Sequence, residues 1–305
     1  MLLVGKEFEQ EVKRNIRLIA CPIVIMTDHL YENTIDGTVQ IEKYQHADAI
    51  YKQLLECYSN VANVKASRMA TNITANQKIV VFTSANGGNG TSTVARAFAK
   101  KCSLYEKTLF LDLGMYNDLP LESGSKNGMD DIILALKSRR NILPLKLSSC
   151  VAKTSYGFFS YGNCANPMDM LELGVNDIKT LLKEISALSE YTKVVIDLGN
   201  SLTERDLAFF SSADTIVFVL DEREISNRKF QMFLTFMGAL EKRENCKLLR
   251  KISVFKNMVS KDYNHENWSY DYQISGWAPF VSNTESEEEV VERIAASDSF
   301  SNLEM

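Results

Sequence analysis

The sequence predicts an α/β fold: a mostly parallel P-loop-type sheet with helices on both faces, preceded by a smaller partial α/β unit. Short, nearly continuous apolar runs recur along the chain, the pattern of strands buried on both faces of a parallel sheet. Helix-like stretches stand between them, which is the alternation a parallel sheet needs for its crossovers. A glycine-rich loop, Gly87-Gly88-Asn89-Gly90, lies between one such strand and one such helix.

Taken in order, the first 62 residues read as strand 2–4, helix 6–17, strand 22–26, strand 38–41 and helix 47–58. In the last of these Ile50, Leu54 and Tyr58 recur at i, i+4 and i+8, one apolar stripe for a core. Three parallel strands make a small domain. Residues 63–76 mix Ser, Asn, Thr and Ala without strong periodicity and read as a linker. From 77 to 305 the alternation resumes, with strands at 79–82, 108–111, 193–196, 215–220 and 252–255.

Composition narrows the function classes. The chain has 305 residues, 45% of them hydrophobic and 24% charged, enough for one large domain and a smaller one. A net charge of −5 argues against obligate nucleic-acid binding, which draws its affinity from clustered Lys and Arg. Cys21, Cys57, Cys102, Cys150, Cys164 and Cys246 show no CxxC spacing, so reduced and mostly buried thiols of a cytosolic protein are expected rather than a zinc or redox motif. His29, His46 and His265 have no ligand spacing. No apolar run approaches the roughly 18 residues of a membrane span, and no secretory signal pattern opens the sequence. A cytoplasmic location is expected, without direct membrane insertion.

The loop at 84–93 carries the chemistry. Strand 78–83 leads into it and helix 94–101 leads out, the context a phosphate cradle requires. Glycines let the backbone approach a polyphosphate while successive N–H groups and a helix N-terminus present partial positive charge. Gly87, Gly88, Asn89, Gly90, Thr91, Ser92 and Thr93 are the candidate nucleotide-binding residues. Lysine is absent from both places where such loops carry it, which hold Asn86 and Thr91.

An open α/β sheet collects ligands at the carboxyl ends of its strands. There stand Asp112, Asp197 and, after strand 252–255, Asn257. Ser92 suits direct coordination of magnesium, and Asp112 and Asp197 suit a hold on its waters. An asparagine amide can pair with the edge of adenine. Each aspartate reads equally as a turn or helix cap, and Asn257 as a turn residue.

At this point the residues resemble a family. The stretch 78–112 is similar to the deviant Walker A region of MinD/ParA-type ATPases within the SIMIBI class, whose loop runs Lys-Gly-Gly-x-Gly-Lys-Thr-Thr and whose next strand ends Asp-x-Asp. Residues 191–199 resemble the Walker B strand of that family, and 213–219 the strand after it. Lys256-Asn257 and Ala278-Pro279 resemble its base-binding asparagine and late proline loop, covering about 78–296 in all. Within the family the chain is most like the TadZ/CpaE branch of Flp/Tad pilus assembly, on the segment 127–136, the insertion around Tyr156-Gly157 and Asn166-Pro167-Met168-Asp169, and the region before 62, which resembles the second half of a receiver domain.

The resemblance implies ATP and Mg2+ as cofactors, Pro279 and Asn257 at the base, a homodimer, partners in the pilus secretion machinery, and recruitment to a cell pole or inner-membrane complex. The departures imply weak or absent hydrolysis. Asn86 and Thr91 replace both lysines, and Gly114 replaces the second aspartate of Asp-x-Asp. Each lost lysine weakens binding about ten- to a hundredfold, whereas losing a cation on the transferred phosphoryl costs hydrolysis on the order of a thousandfold or more. The alternative is an active ATPase with Lys126 or Arg223 as substitute cation. The receiver-like strand 1–5 ends without a phosphoacceptor aspartate, the strands before it in a receiver do not stand in this sequence, and Lys43-Tyr44 resembles the receiver lysine; a docking surface is implied rather than phosphotransfer. Cycling on a membrane surface needs a basic amphipathic helix, and 285–305 holds seven acidic residues against Arg293 alone.

Overall fold

Apolar runs that alternate with helices need cover on both faces, and here they assemble into two sheets. A computed structural model describes residues 1–16, 19, 21, 23–28, 38–61, 77–114, 119–121, 128–138, 142–200, 202–260, 272–281 and 285–303. The linker read at 63–76, Arg17, Pro22, Lys126, Asn127 and the side chain of Tyr58 lie outside the described residues. The chain divides into two compact units, Met1–Thr71 with Asn127–Val151, and Asn72–Lys126 with Ala152–Met305.

The smaller unit holds strands β1 (Leu2–Gly5), β2 (Ile23–Thr27) and β3 (Thr38–Glu42), parallel and in that order. A 3-10 turn, Lys6–Phe8, precedes helix α1 (Glu9–Asn15), so the regular helix is shorter than the stretch 6–17. Strand alternation sends Ile23 and Ile25 to one face, where Val12 of α1 covers them. Val24 points to the other, where it joins Ile41 and Leu54 and Cys57 of α2 (Ala47–Val61). Helices α4 (Met129–Lys137) and α5 (Leu143–Cys150) belong to the same unit, joined by a Lys146 to Asp131 ion pair at 3.0 Å.

The larger sheet has eight strands in the order β11-β10-β9-β4-β8-β5-β7-β6. They are β4 (Lys78–Thr83), β5 (Thr108–Asp112), β6 (Val151–Lys153), β7 (Phe159–Tyr161), β8 (Lys193–Asp197), β9 (Thr215–Leu220), β10 (Ile252–Val259) and β11 (Gln273–Pro279). Every pair from β11 across to β7 is parallel. The fold class predicted from the sequence is the one found, and the five expected strands are β4, β5, β8, β9 and β10. Crossovers run through α3 (Thr91–Ser103), α6 (Val175–Leu188), α7 (Glu204–Ser212) and α8 (Glu224–Glu244), and α9 (Glu287–Ala296) packs on α3.

Aromatic rings lock α3 and the chain's last turn onto the sheet. Phe98 of α3 lies 5.5 Å from Phe82 and 5.2 Å from Phe300, which in turn lies 5.2 Å from Phe255. Polar ties join α3 to α9 and the residues after it: Lys100 pairs with Glu292, and Lys101 Nζ donates to the Ser297 carbonyl at 2.6 Å. This packing fixes the N-terminus of α3 at the carboxyl edge of the central strand β4.

Candidate nucleotide site

The loop between β4 and α3 turns on two glycines in the left-handed region, Gly88 at φ +78° and Gly90 at φ +73°. A side chain at Gly90 would also overlap the Asn257 amide. Gly90 is the N-cap of α3 and no side chain caps the helix. The first N–H groups of a helix have no partner within it, so they stay available to an anion. Gly87 and Gly88 are exposed at the tip, while Asn89 and Thr91 are buried.

The loop is tied on several sides. At its start the Ser84 N–H donates to the Gly199 carbonyl at 2.9 Å, joining it to the end of β8. Asn89 Nδ2 donates to the Val219 carbonyl at 3.2 Å, and Asn257 Nδ2 donates to the Asn89 carbonyl at 2.9 Å. The Asn257 amide nitrogen thus braces the loop. Where loop lysines are missing, polar side chains near the start of α8 make contact: Asn86 Nδ2 donates to Ser226 Oγ at 2.7 Å, and Lys229 Nζ to the Ala85 carbonyl at 3.3 Å. Arg223, named above as a substitute cation, donates to Asn89 Oδ1 at 3.0 Å and pairs with Asp221 at 2.5 Å.

Ser92 and Asp197 meet: the Ser92 hydroxyl favours the charged form of the Asp197 carboxyl, and the Gly199 N–H donates to Asp197 Oδ1 at 2.9 Å. In register beside Asp197 stands Asp112, which accepts the Gly114 N–H at 3.0 Å. Burial, with the Asp197 charge next, pushes the Asp112 carboxyl up to about 6. Burial raises Asp197 as well, opposed by the Ser92 hydroxyl and the Gly199 N–H. A serine hydroxyl beside a buried carboxylate, with a second carboxylate alongside, is a donor set that suits a hard cation taking oxygen ligands.

Sequence reasoning missed Arg96. It sits on α3 beneath the loop, with Nη2 3.4 Å from Asp112 Oδ2 and Nη1 donating to Glu287 Oε1 at 2.9 Å. The available signal was an arginine amid the apolar residues Val94, Ala95, Ala97 and Phe98, four positions after Ser92. Pro279 ends the edge strand β11 and lines a cavity of about 280 Å3 with Trp277, Arg293 and Ile294. A larger cavity, about 570 Å3, opens beside the aspartate pair between Leu113, Gly114, Leu198, Gly199 and Arg205. None of the six cysteines is in a disulfide; Cys57, Cys102 and Cys150 are buried, and burial pushes the Cys102 thiol up to about 12. Among the described residues no helix is long and apolar enough to cross a membrane.

No family model matches the chain, and no curated protein does either. Solved structures are similar. A ParA family ATPase from Chlorobium tepidum TLS superposes with a TM-score of 0.56 at 19% identity, over 74% of this chain and 92% of that one. An apo McdA from Cyanthece gives 0.53 at 16%, over 71% and 90%. A cobyrinic acid a,c-diamide synthase from Mycobacterium smegmatis, holding an ATP analogue and magnesium, gives 0.50 at 14%, over 72% and 92%. At these identities the likeness concerns the fold, and the fold of this chain is that of the ParA-type P-loop ATPases.

Proposed function

We propose that this protein is a MinD/ParA-like nucleotide-binding protein that binds ATP with Mg2+, hydrolyses it weakly or not at all, and acts as a localisation or assembly factor of a Flp/Tad-type pilus system. The observation that carries the nucleotide reading is the uncapped N-terminus of α3 behind two left-handed glycines, with no lysine in the loop. Backbone N–H groups and the helix end would take the phosphates. Ser92 and Asp197 would hold the magnesium, with Asp112 beside them; the ion supplies neutralisation of phosphate charge. The pilus assignment, the homodimer and the secretion partners follow from the resemblance of the sequence alone. So does the division into a receiver-like region at 1–62, a linker and an ATPase region at 77–305.

Titration with ATP and magnesium, followed by calorimetry and light scattering, tests this reading. Saturable binding with a rise in mass to the dimer is expected. No binding at millimolar ATP would leave a scaffold without a nucleotide switch.

A second reading has its own observation. The Arg223 guanidinium reaches the loop at Asn89 Oδ1, so an active ATPase using Arg223 as its cation is the alternative. Turnover clearly above background, lost in both Asp197→Ala and Arg223→Ala, would favour it.

A further inference from the structure

The side chains of Ser92 and Arg96 leave α3 four residues apart, on one face of the helix. Arg96 is only 4% exposed, and its flanking residues Val94, Ala95, Ala97 and Phe98 are fully buried. A permanently charged guanidinium persists in such surroundings when acceptors converge on it. Here they come from separate elements: Asp112 at the end of β5 lies 3.4 Å away, and Glu287 at the start of α9 accepts at 2.9 Å. Asp197 of β8 lies within the field of the same cation. Glu287 also accepts from Thr93 Oγ1 at 3.5 Å, which ties it to the loop helix on the side of the phosphate cradle.

We propose that Arg96 is a positioning residue of the nucleotide site, supplying from beneath the loop the positive charge that Asn86 and Thr91 do not supply within it. The inference rests on the nucleotide-binding reading above. Its logic is electrostatic. A polyphosphate arriving at α3 faces two buried carboxylates, and repulsion at short range in a poorly solvated site is strong. Arg96 neutralises Asp112 without touching the nucleotide. Removing the cation leaves the carboxylates unopposed, and a divalent ion must then do all of the compensation. Nucleotide affinity should therefore become far more dependent on magnesium when Arg96 is lost, an effect that a purely packing role would not produce.

The test measures ATP affinity, with magnesium and with EDTA, for the unmodified chain, Arg96→Gln, Arg96→Lys, Asp112→Asn and the double variant Arg96→Gln/Asp112→Asn. Arg96→Gln is expected to lose about tenfold or more in EDTA and clearly less in magnesium. Arg96→Lys should keep most of the affinity, and the double variant should match Asp112→Asn, because the charge needing neutralisation is gone. An equal loss in both conditions that Asp112→Asn does not restore would overturn the inference. Where Arg96→Gln alone fails to fold, the double variant against Asp112→Asn decides: equal affinities support the inference, and a tenfold deficit overturns it. Absence of binding by the unmodified chain would overturn the nucleotide reading and this inference with it, whereas binding with an unchanged magnesium dependence would overturn the inference alone.

Discussion

Both sheets are built mostly of parallel strands, and both carry charged residues at the carboxyl ends of their strands, yet the two ends are physically unlike. After β2 and β3, Asp28 and Lys43 pair at 2.6 Å with side chains 47% and 38% exposed. After β5 and β8, Asp112 and Asp197 are held side by side with almost no access to water, above a single buried arginine. Water solvates the first pair whether or not it forms, so the pair fixes little. The second cluster has no such relief, and its charges must be balanced by neighbours or by a ligand. Topology alone does not set the two ends apart; the burial of like charges beside the glycine loop does, and on the proposed function that loop is the phosphate cradle.

That contrast can be broken first at the core beneath the cradle. Phe98→Ala removes the ring shared by Phe82 and Phe300 and should destabilise the larger unit by about 3–5 kcal/mol in denaturant unfolding. A loss below about 1 kcal/mol would mean that α3 is not held by this cluster.

Next in size is the charge itself. Asp112 has a folded-state value of about 6 against an ordinary value of 3.8, so the folded protein binds its proton more tightly than the unfolded chain does. Stability from this group is therefore full below pH 4 and is lost as pH rises through 6. In metal-free, nucleotide-free protein, Asp112→Asn should gain on the order of 3 kcal/mol at pH 8 and little at pH 4. A gain independent of pH would mean that repulsion and burial of charge are not its source.

Smaller still is the backbone. Gly90→Ala places a side chain at φ +73° against the Asn257 amide, and should cost roughly 1–3 kcal/mol in melting experiments and weaken ATP binding. Unchanged stability would show that the loop relaxes freely. At the bottom of the scale, Lys43→Ala should leave the melting temperature where it was, because both partners of its ion pair remain hydrated. A clear drop there would erase the distinction between the two strand-end clusters.

Much of this was legible in the sequence where the signal is local. The apolar runs marked β4, β5, β8, β9 and β10, and the strand ends marked Asp112 and Asp197, which the fold brings together with Ser92. What escaped depends on distant partners. Strands β6 and β7 have three residues each, too few for a periodic pattern, and β11 shows in the sequence only the Ala278-Pro279 resemblance to a proline loop. A strand-end asparagine has no directional signature, so the brace from Asn257 to Asn89 could not be told from a contact with adenine. Arg96 reads as one more polar residue on a helix until Asp112 and Glu287, sixteen and 191 positions away, close around it. Nor does composition show that the stretch 127–151 clusters with the N-terminal sheet rather than with the strands on either side of it.

The most direct test of the proposed phosphate site, with no lysine in its loop, measures ATP binding and ATP turnover on the same sample. Saturable, magnesium-assisted binding with hydrolysis at background is the expected result. Turnover well above background that Asp197→Ala abolishes would contradict it, and so would the absence of binding at millimolar ATP.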